Sequence, residues 1–151
     1  MTASKLLADY IVGLQHIGHV VTDIEAAIDR FVRVYGVDRR TVRRLPDDPE
    51  GADTLFAFLT IAGTEFELIQ PVSERFRDIL LATASGGAGI NHVGWRERNI
   101  DAYMRLLVDT GIGSGHVTRD GIVTFKHLRL IYLDAVATDG MLVELIEFVQ
   151  G

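Results

Sequence analysis

The sequence predicts an α+β fold made of two paired βαβββ modules. Three observations predict it: the chain repeats itself at a nearly constant offset, each copy opens with a β-rich run followed by an amphipathic helix, and three further β-like runs follow each helix. "LQHIGHVVTDIEAAI" (14–28) lies over "INHVGWRERNIDAYM" (90–104), which sets His16 on His92, Gly18 on Gly94, Ile24 on Ile100 and Ala26 on Ala102, 76 residues apart. Further on, "FELI" (66–69) lies over "VELI" (143–146), so Glu67 falls on Glu144 at an offset of 77. A drift of one residue is a single loop difference. Self-similarity of this kind marks a supersecondary unit that cannot bury its apolar face alone.

Each element follows from local pattern. Residues 14–21 and 90–95 are short, β-rich and bounded by polar residues, as strands are. The first helix places Ile24, Ala27, Ile28, Phe31, Val32 and Tyr35 on one stripe, with Asp23 as N-cap and Gly36 past its end. The second copies it with Ile100, Tyr103, Met104, Leu107 and Val108, capped by Asn99 and closed by Gly111. The β-like runs are 37–45, 54–61 and 64–71, then 113–119, 124–133 and 141–149. The modules therefore span 10–72 and 88–150. The linker 73–87 holds a short helix capped by Ser73 that presents Phe76, Ile79 and Leu80, and Gly86, Gly87 and Gly89 loosen the crossing. One βαβββ unit leaves a sheet face bare. Two, packed about a pseudo-twofold axis, complete a curved eight-stranded mixed sheet with the helices on its convex side, a single domain over 1–151.

Composition agrees. The 151 residues are 48% hydrophobic and 24% charged, the balance of one globular domain that buries roughly 70% of its unfolded surface. The absence of cysteine excludes a disulfide framework, a thiolate metal site and a cysteine nucleophile. A formal charge of -6 has the wrong sign for nucleic acid. The opening MTASKLLADYIVGL is too broken for a signal peptide and no run of apolar residues is long enough to span a membrane, so a cytoplasmic location is expected.

Strand alternation singles out four side chains. Ile17 and Val21 define the helix-facing side of the first strand, which sends His16 with Gly18 and Val20 to the concave side. The same logic sets His92 beside Gly94, and Glu67 and Glu144 opposite Phe66, Leu68, Val143 and Leu145. Acidic residues within apolar strands are costly if ionised and uncompensated. A lone strand histidine is usually structural, but two His and two Glu at matched places in a repeat form a plausible shell for a divalent cation. With nitrogen and hard oxygen donors, Mg, Mn, Fe(II), Co, Ni and Zn all fit. Of the other histidines, His19 points to the helix side, His116 reads as exposed, and His127 sits on a strand with Lys126 and Arg129, where it faces the pocket. Arg39, Arg40, Arg43 and Arg44 either hold an anionic substrate or form a solvated edge, the commoner role of such runs. Trp95 is core-facing.

These residues resemble the vicinal oxygen chelate superfamily, which includes glyoxalase I, extradiol dioxygenases, methylmalonyl-CoA epimerase and antibiotic-resistance proteins. Within it, "HIGHVVTDIEAAI", "FELIQP", "GGAGINHVGW" and "GMLVELIE" look most like the methylmalonyl-CoA epimerases. The resemblance implies that His16, Glu67, His92 and Glu144 ligate a divalent metal ion (Co, Mn, Ni, Zn or Fe(II)). It further implies that Glu144 and a loop carboxylate, Glu50, with Asp48 and Asp53 as competitors, move the proton α to a carbonyl of a small-molecule substrate, an acyl-CoA in the leading reading. Homodimers are frequent in the group. One departure is "YLDAVATDG", where the epimerases carry a His-Pro loop; only Gly140 remains directly before "MLVELIE". The alternatives within the group are a glyoxalase-like lyase, an extradiol dioxygenase, or a non-catalytic protein that binds a small molecule such as an antibiotic.

Overall fold

The computed structural model describes residues 8–81 and 87–150. The described residues hold eight strands, β1 (Ile11–Val20), β2 (Arg43–Leu45), β3 (Thr54–Ile61), β4 (Thr64–Pro71), β5 (Gly89–Glu97), β6 (Val123–Thr124), β7 (Leu128–Tyr132) and β8 (Leu142–Phe148), and the helices α1 (Ile24–Tyr35), α2 (Glu74–Leu81) and α3 (Ile100–Asp109). The strands form one mixed sheet in the order β2-β3-β4-β1-β5-β8-β7-β6. In each repeat the first strand runs parallel to the last, β1 with β4 and β5 with β8, while β2 with β3, β3 with β4, β6 with β7 and β7 with β8 are antiparallel. Among the described residues no helix is long and apolar enough to cross a membrane.

Two compact units divide the chain. One runs His16–Asn91; the other joins the segment ending at Gln15 to everything from His92 onward. The division falls within β1 and within β5 rather than in the linker, and in the second unit the Arg98 N–H donates to the Tyr10 carbonyl at 3.0 Å.

In the His16–Asn91 unit, the Asp23 side chain accepts the Ala26 N–H to start α1, and Gly36, at φ 69°, ends it in the left-handed conformation that glycine adopts without strain. Ile24, Ala27 and Ile28 then pack on Val21, Ala57, Leu59 and Leu68, with Phe31 and Phe66 at the margin. The opposite face of the strands is covered at one end by α2, whose Leu80 and Phe76 meet Val20, Ile69 and Phe56. Ser73 Oγ accepts the Phe76 N–H at 3.5 Å, as expected of its cap position. The expected roles of Gly86 and of the Ile79 side chain lie outside the described residues and side chains.

In the other unit Asn99 caps α3 through the Ala102 N–H, and Ile100, Tyr103, Met104 and Leu107 pack on Ile131, Val143 and Leu145, with Trp95 against them. Val108, expected on this stripe, is exposed and lines an open groove with Met104 and Ile122.

Three β-like runs take a different form. In 37–45 the Asp38 side chain accepts the Arg40 N–H and winds Arg39–Thr41 into a 3-10 turn, so only Arg43–Leu45 joins the sheet. Short polar side chains compete with the ladder for backbone N–H groups in this way. In 113–119 the chain turns at His116–Thr118. It passes so close to β7 that a Cβ on Gly115 would stand 2.3 Å from the Leu133 carbonyl oxygen, leaving room for glycine alone. The run 124–133 is a hairpin, β6 with β7, rather than one strand.

Leu68 has 0% exposure at the centre of its core. Leu68→Ala is expected to cost about 2–5 kcal/mol in urea unfolding, whereas Val136→Ala, at an 86% exposed position, is expected to stay within about 0.5 kcal/mol.

Candidate metal centre

Each unit builds the same polar pair from the same two strands. In one, His16 Nε2 lies 3.3 Å from Glu67 Oε2; in the other, His92 Nε2 lies 3.4 Å from Glu144 Oε2. His16, His92 and Glu144 are buried, and Glu67 is half-buried. Parallel pairing explains the arrangement. Glu67 stands in register with Gly18 and Glu144 with Gly94, two residues beyond His16 and His92 on the same strand face. With glycine beside each carboxylate, no side chain separates it from the imidazole. The repeated His-x-Gly is therefore the local rule that makes the pair.

The donor chemistry suits a divalent cation: each pair offers one imidazole nitrogen and one carboxylate oxygen. The two donor atoms of each pair, 3.3 and 3.4 Å apart, are near enough to one another to contact one cation. In the bound state a cation would compensate the buried carboxylate charge of either pair.

The second unit adds a side chain that sequence reasoning missed. Tyr132, on β7, is the register partner of Glu144, and its buried ring meets the His92 ring edge-on at 5.2 Å and 82°. Its backbone is anchored by one buried hydroxyl: the Tyr132 N–H donates to Thr118 Oγ1 at 2.9 Å, and Thr118 Oγ1 donates to the Tyr132 carbonyl at 3.3 Å. The matched position opposite Glu67 is Phe58, with the Arg43 guanidinium 4.1 Å from its ring centre. The available signal was alternation along "LRLIY", which puts an aromatic across from each acid once the hairpin is recognised.

The remaining expected residues fall elsewhere. Glu50 is exposed on the loop between β2 and β3, where its N–H donates to Asp48 Oδ1 at 3.0 Å. Asp48 and Asp53 are exposed on the same loop. His19 is half-buried on the α1 side, its ring 6.0 Å from that of Phe31, and burial followed by the nearby Arg30 holds its pKa below the usual 6.5. His116 is exposed. His127 is not on a strand facing a pocket: it is exposed in the turn of the β6–β7 hairpin, and Arg129 beside it is engaged by Asp101 at 2.6 Å. The arginine run forms a solvated edge. Arg39 bonds Asp29 and Glu25, Arg40 bonds Asp38 at 2.7 Å, and Arg44 bonds Glu25 at 2.8 Å, so three of the four are already committed to local carboxylates.

A family model described as the glyoxalase/bleomycin resistance protein/dioxygenase superfamily matches residues 15–125. Among solved structures, the methylmalonyl-CoA epimerase of Mycobacterium tuberculosis is 21% identical with a TM-score of 0.70, over 93% of this chain and 91% of that one. A variant of the Streptomyces coelicolor methylmalonyl-CoA epimerase, bound to 2-nitronate-propionyl-CoA, is likewise 21% identical with a TM-score of 0.70, over 93% and 99%. A hypothetical protein of Bacillus halodurans is 23% identical with a TM-score of 0.69, over 91% and 95%. Likeness at this identity carries the fold. No curated protein sequence matches the chain.

Thr118→Val leaves the Tyr132 N–H without its acceptor at near-constant volume. Urea unfolding is expected to show a loss of roughly 1–3 kcal/mol; no loss would mean that the hydroxyl does not anchor the strand.

Proposed function

Because the chain belongs to the glyoxalase/bleomycin resistance protein/dioxygenase superfamily, we propose that His16, Glu67, His92 and Glu144 together hold one divalent metal ion and that the protein is an epimerase or isomerase moving a proton next to a carbonyl. The observation that carries this reading is the recurrence, in both units, of a histidine and a carboxylate within 3.4 Å beside an in-register glycine. A structural ion pair needs to occur only once. The retention of the same donors in both copies is what a shared ligand demands.

When bound, the cation supplies Lewis acidity that stabilises negative charge developing on the substrate's carbonyl oxygen. The chain supplies the proton handling. A hydrogen α to a carbonyl is too weakly acidic for a carboxylate alone, so stabilisation of the resulting enolate is what makes either carboxylate an adequate base. One of Glu144 and Glu50 breaks the C–H bond and leaves its electron pair delocalised to the carbonyl oxygen; the other returns a proton to the opposite face, and the configuration inverts. Glu50 sits on an exposed loop, which suits a group that must meet an incoming substrate. The substrate of the leading reading is an acyl-CoA, methylmalonyl-CoA or a close analogue, in keeping with the 2-nitronate-propionyl-CoA and methylmalonyl-CoA bound by similar structures. Homodimerisation and a cytoplasmic location belong to the same proposal. Glyoxalase-like or ring-cleaving chemistry would use the same ion without needing Glu50.

Adding Co, Mn, Ni, Zn or Fe(II) to chelator-treated protein is expected to raise the melting temperature, by about 2.7 kcal/mol of stabilisation at a hundredfold excess over Kd. A protein indifferent to all five would be a sequestering module instead. Incubation of metallated protein with methylmalonyl-CoA in deuterated water is expected to exchange the α-hydrogen. Glu50→Gln is expected to slow that exchange at least 100-fold with metal content unchanged. Full activity in this variant would remove Glu50 from the mechanism, and absence of exchange in the metallated wild type would reject the substrate.

A further inference from the structure

The repeat acts as its own control and isolates a buried group that the proposed chemistry does not use. The alignment sets Glu97 over Val21 and Glu147 over Gln70. In the His16–Asn91 unit, Val21 belongs to the core under α1, and Gln70 Oε1 accepts the Ile24 N–H at the helix start at 2.8 Å. The matched helix start is held the same way, the Ile100 N–H donating to Glu147 Oε2 at 3.2 Å. One copy thus closes this junction with an apolar and a neutral polar side chain. The other puts an acid in both places.

Glu97 is 3% exposed, and among the described residues neither of its carboxyl oxygens has a hydrogen-bond partner. Of the groups around it, Glu147 on β8 is a like charge and Tyr103 on α3 is buried nearby, its own pKa raised by burial and then by Glu97. Arg129 on β7 is engaged by Asp101 at 2.6 Å and lies 3.4 Å from Glu147, and Arg105 on α3 acts on Asp101. Arg96 and Arg98, its neighbours on β5, are exposed. Tyr10, ahead of β1, packs its ring 6.1 Å from that of Tyr103. Among the described residues no cation is therefore committed to Glu97 as Arg129 is to Asp101. A carboxylate in that position is costly in its charged form and tolerable as the neutral acid. Beside it lies a cleft of about 540 Å³ lined by Val12, Arg96, Arg98, Phe148 and Gln150 as well as Glu97 itself, through which water can reach it.

We propose that Glu97 is a proton-operated latch at the junction of β5, β8 and α3: the closed junction keeps its carboxyl neutral, and loss of the proton opens the first turn of α3 to water from the cleft. Burial, then the charge of Glu147, pushes its pKa from 4.5 up to about 7. The folded value lies above the unfolded one. The stability that Glu97 confers is therefore complete below pH 4.5, declines as the pH rises toward 7 and is gone above it. The junction is tight in mild acid and loosened in mild alkali.

The test compares wild type with Glu97→Gln, which cannot ionise, and with Glu97→Val, which copies Val21. Relative to either variant, the wild-type melting temperature is expected to fall by about 5 °C or more between pH 5 and pH 8. Exchange of the Ile100 amide, corrected for base catalysis, is expected to quicken at least tenfold over that range in wild type and to stay level in both variants. Carbon-13 titration of the wild-type Glu97 carboxyl needs no variant and is expected to give a midpoint near 7. A midpoint in the ordinary carboxylate range, or parallel pH dependence in all three proteins, overturns the latch.

Discussion

A carboxylate set inside a β-sheet has to be compensated, and this constraint shapes both halves of the protein. Glu67 and Glu144 sit on strands whose alternate residues form apolar cores, with Leu68 on one side of the first and Val143 and Leu145 around the second. In each case a histidine from the neighbouring parallel strand stands within 3.4 Å of the acid, and the residue in register with the acid is a glycine. The His-x-Gly strand, the parallel pairing and the single acid in the last strand therefore act as one device.

The parts of the structure legible in the sequence are those governed by period and by caps. Asp23 and Asn99 start their helices as the spacing requires, Gly36 ends α1, and Ser73 caps the linker helix. That His16 and Glu67, and His92 and Glu144, lie on the strand faces away from Ile17, Leu68, Val143 and Leu145 was also legible, because strand alternation gives it in both copies. Less legible were segments where a side chain or a close approach outcompetes strand pairing. Asp38 diverts 37–45 into a turn, Gly115 lets the chain pass against Leu133, and the hairpin at 125–127 leaves His127 exposed rather than facing a pocket. Tyr132 escaped notice for the same reason: its partnership with Glu144 depends on where that hairpin turns.

The two copies differ in ways that their common scaffold does not require. Opposite the acid stands Phe58 in one and Tyr132 in the other. The helix-start acceptor is Gln70 in one and Glu147 in the other, and beneath it lies Val21 in one and Glu97 in the other. A duplicated fold can keep its His–Glu pairs fixed while such neighbouring positions diverge. The unit containing His92 buries its His–Glu pair more deeply than the other does, and it is the one that holds the proposed latch at Glu97.

The most direct measurement of the account is metal stoichiometry. Equilibrium dialysis followed by elemental analysis is expected to give one tightly bound divalent ion per chain, with His16→Ala and His92→Ala each abolishing that single site. Two ions per chain, each lost independently with its own histidine, would contradict a shared centre, and no ion at all would reduce both pairs to buried structural contacts.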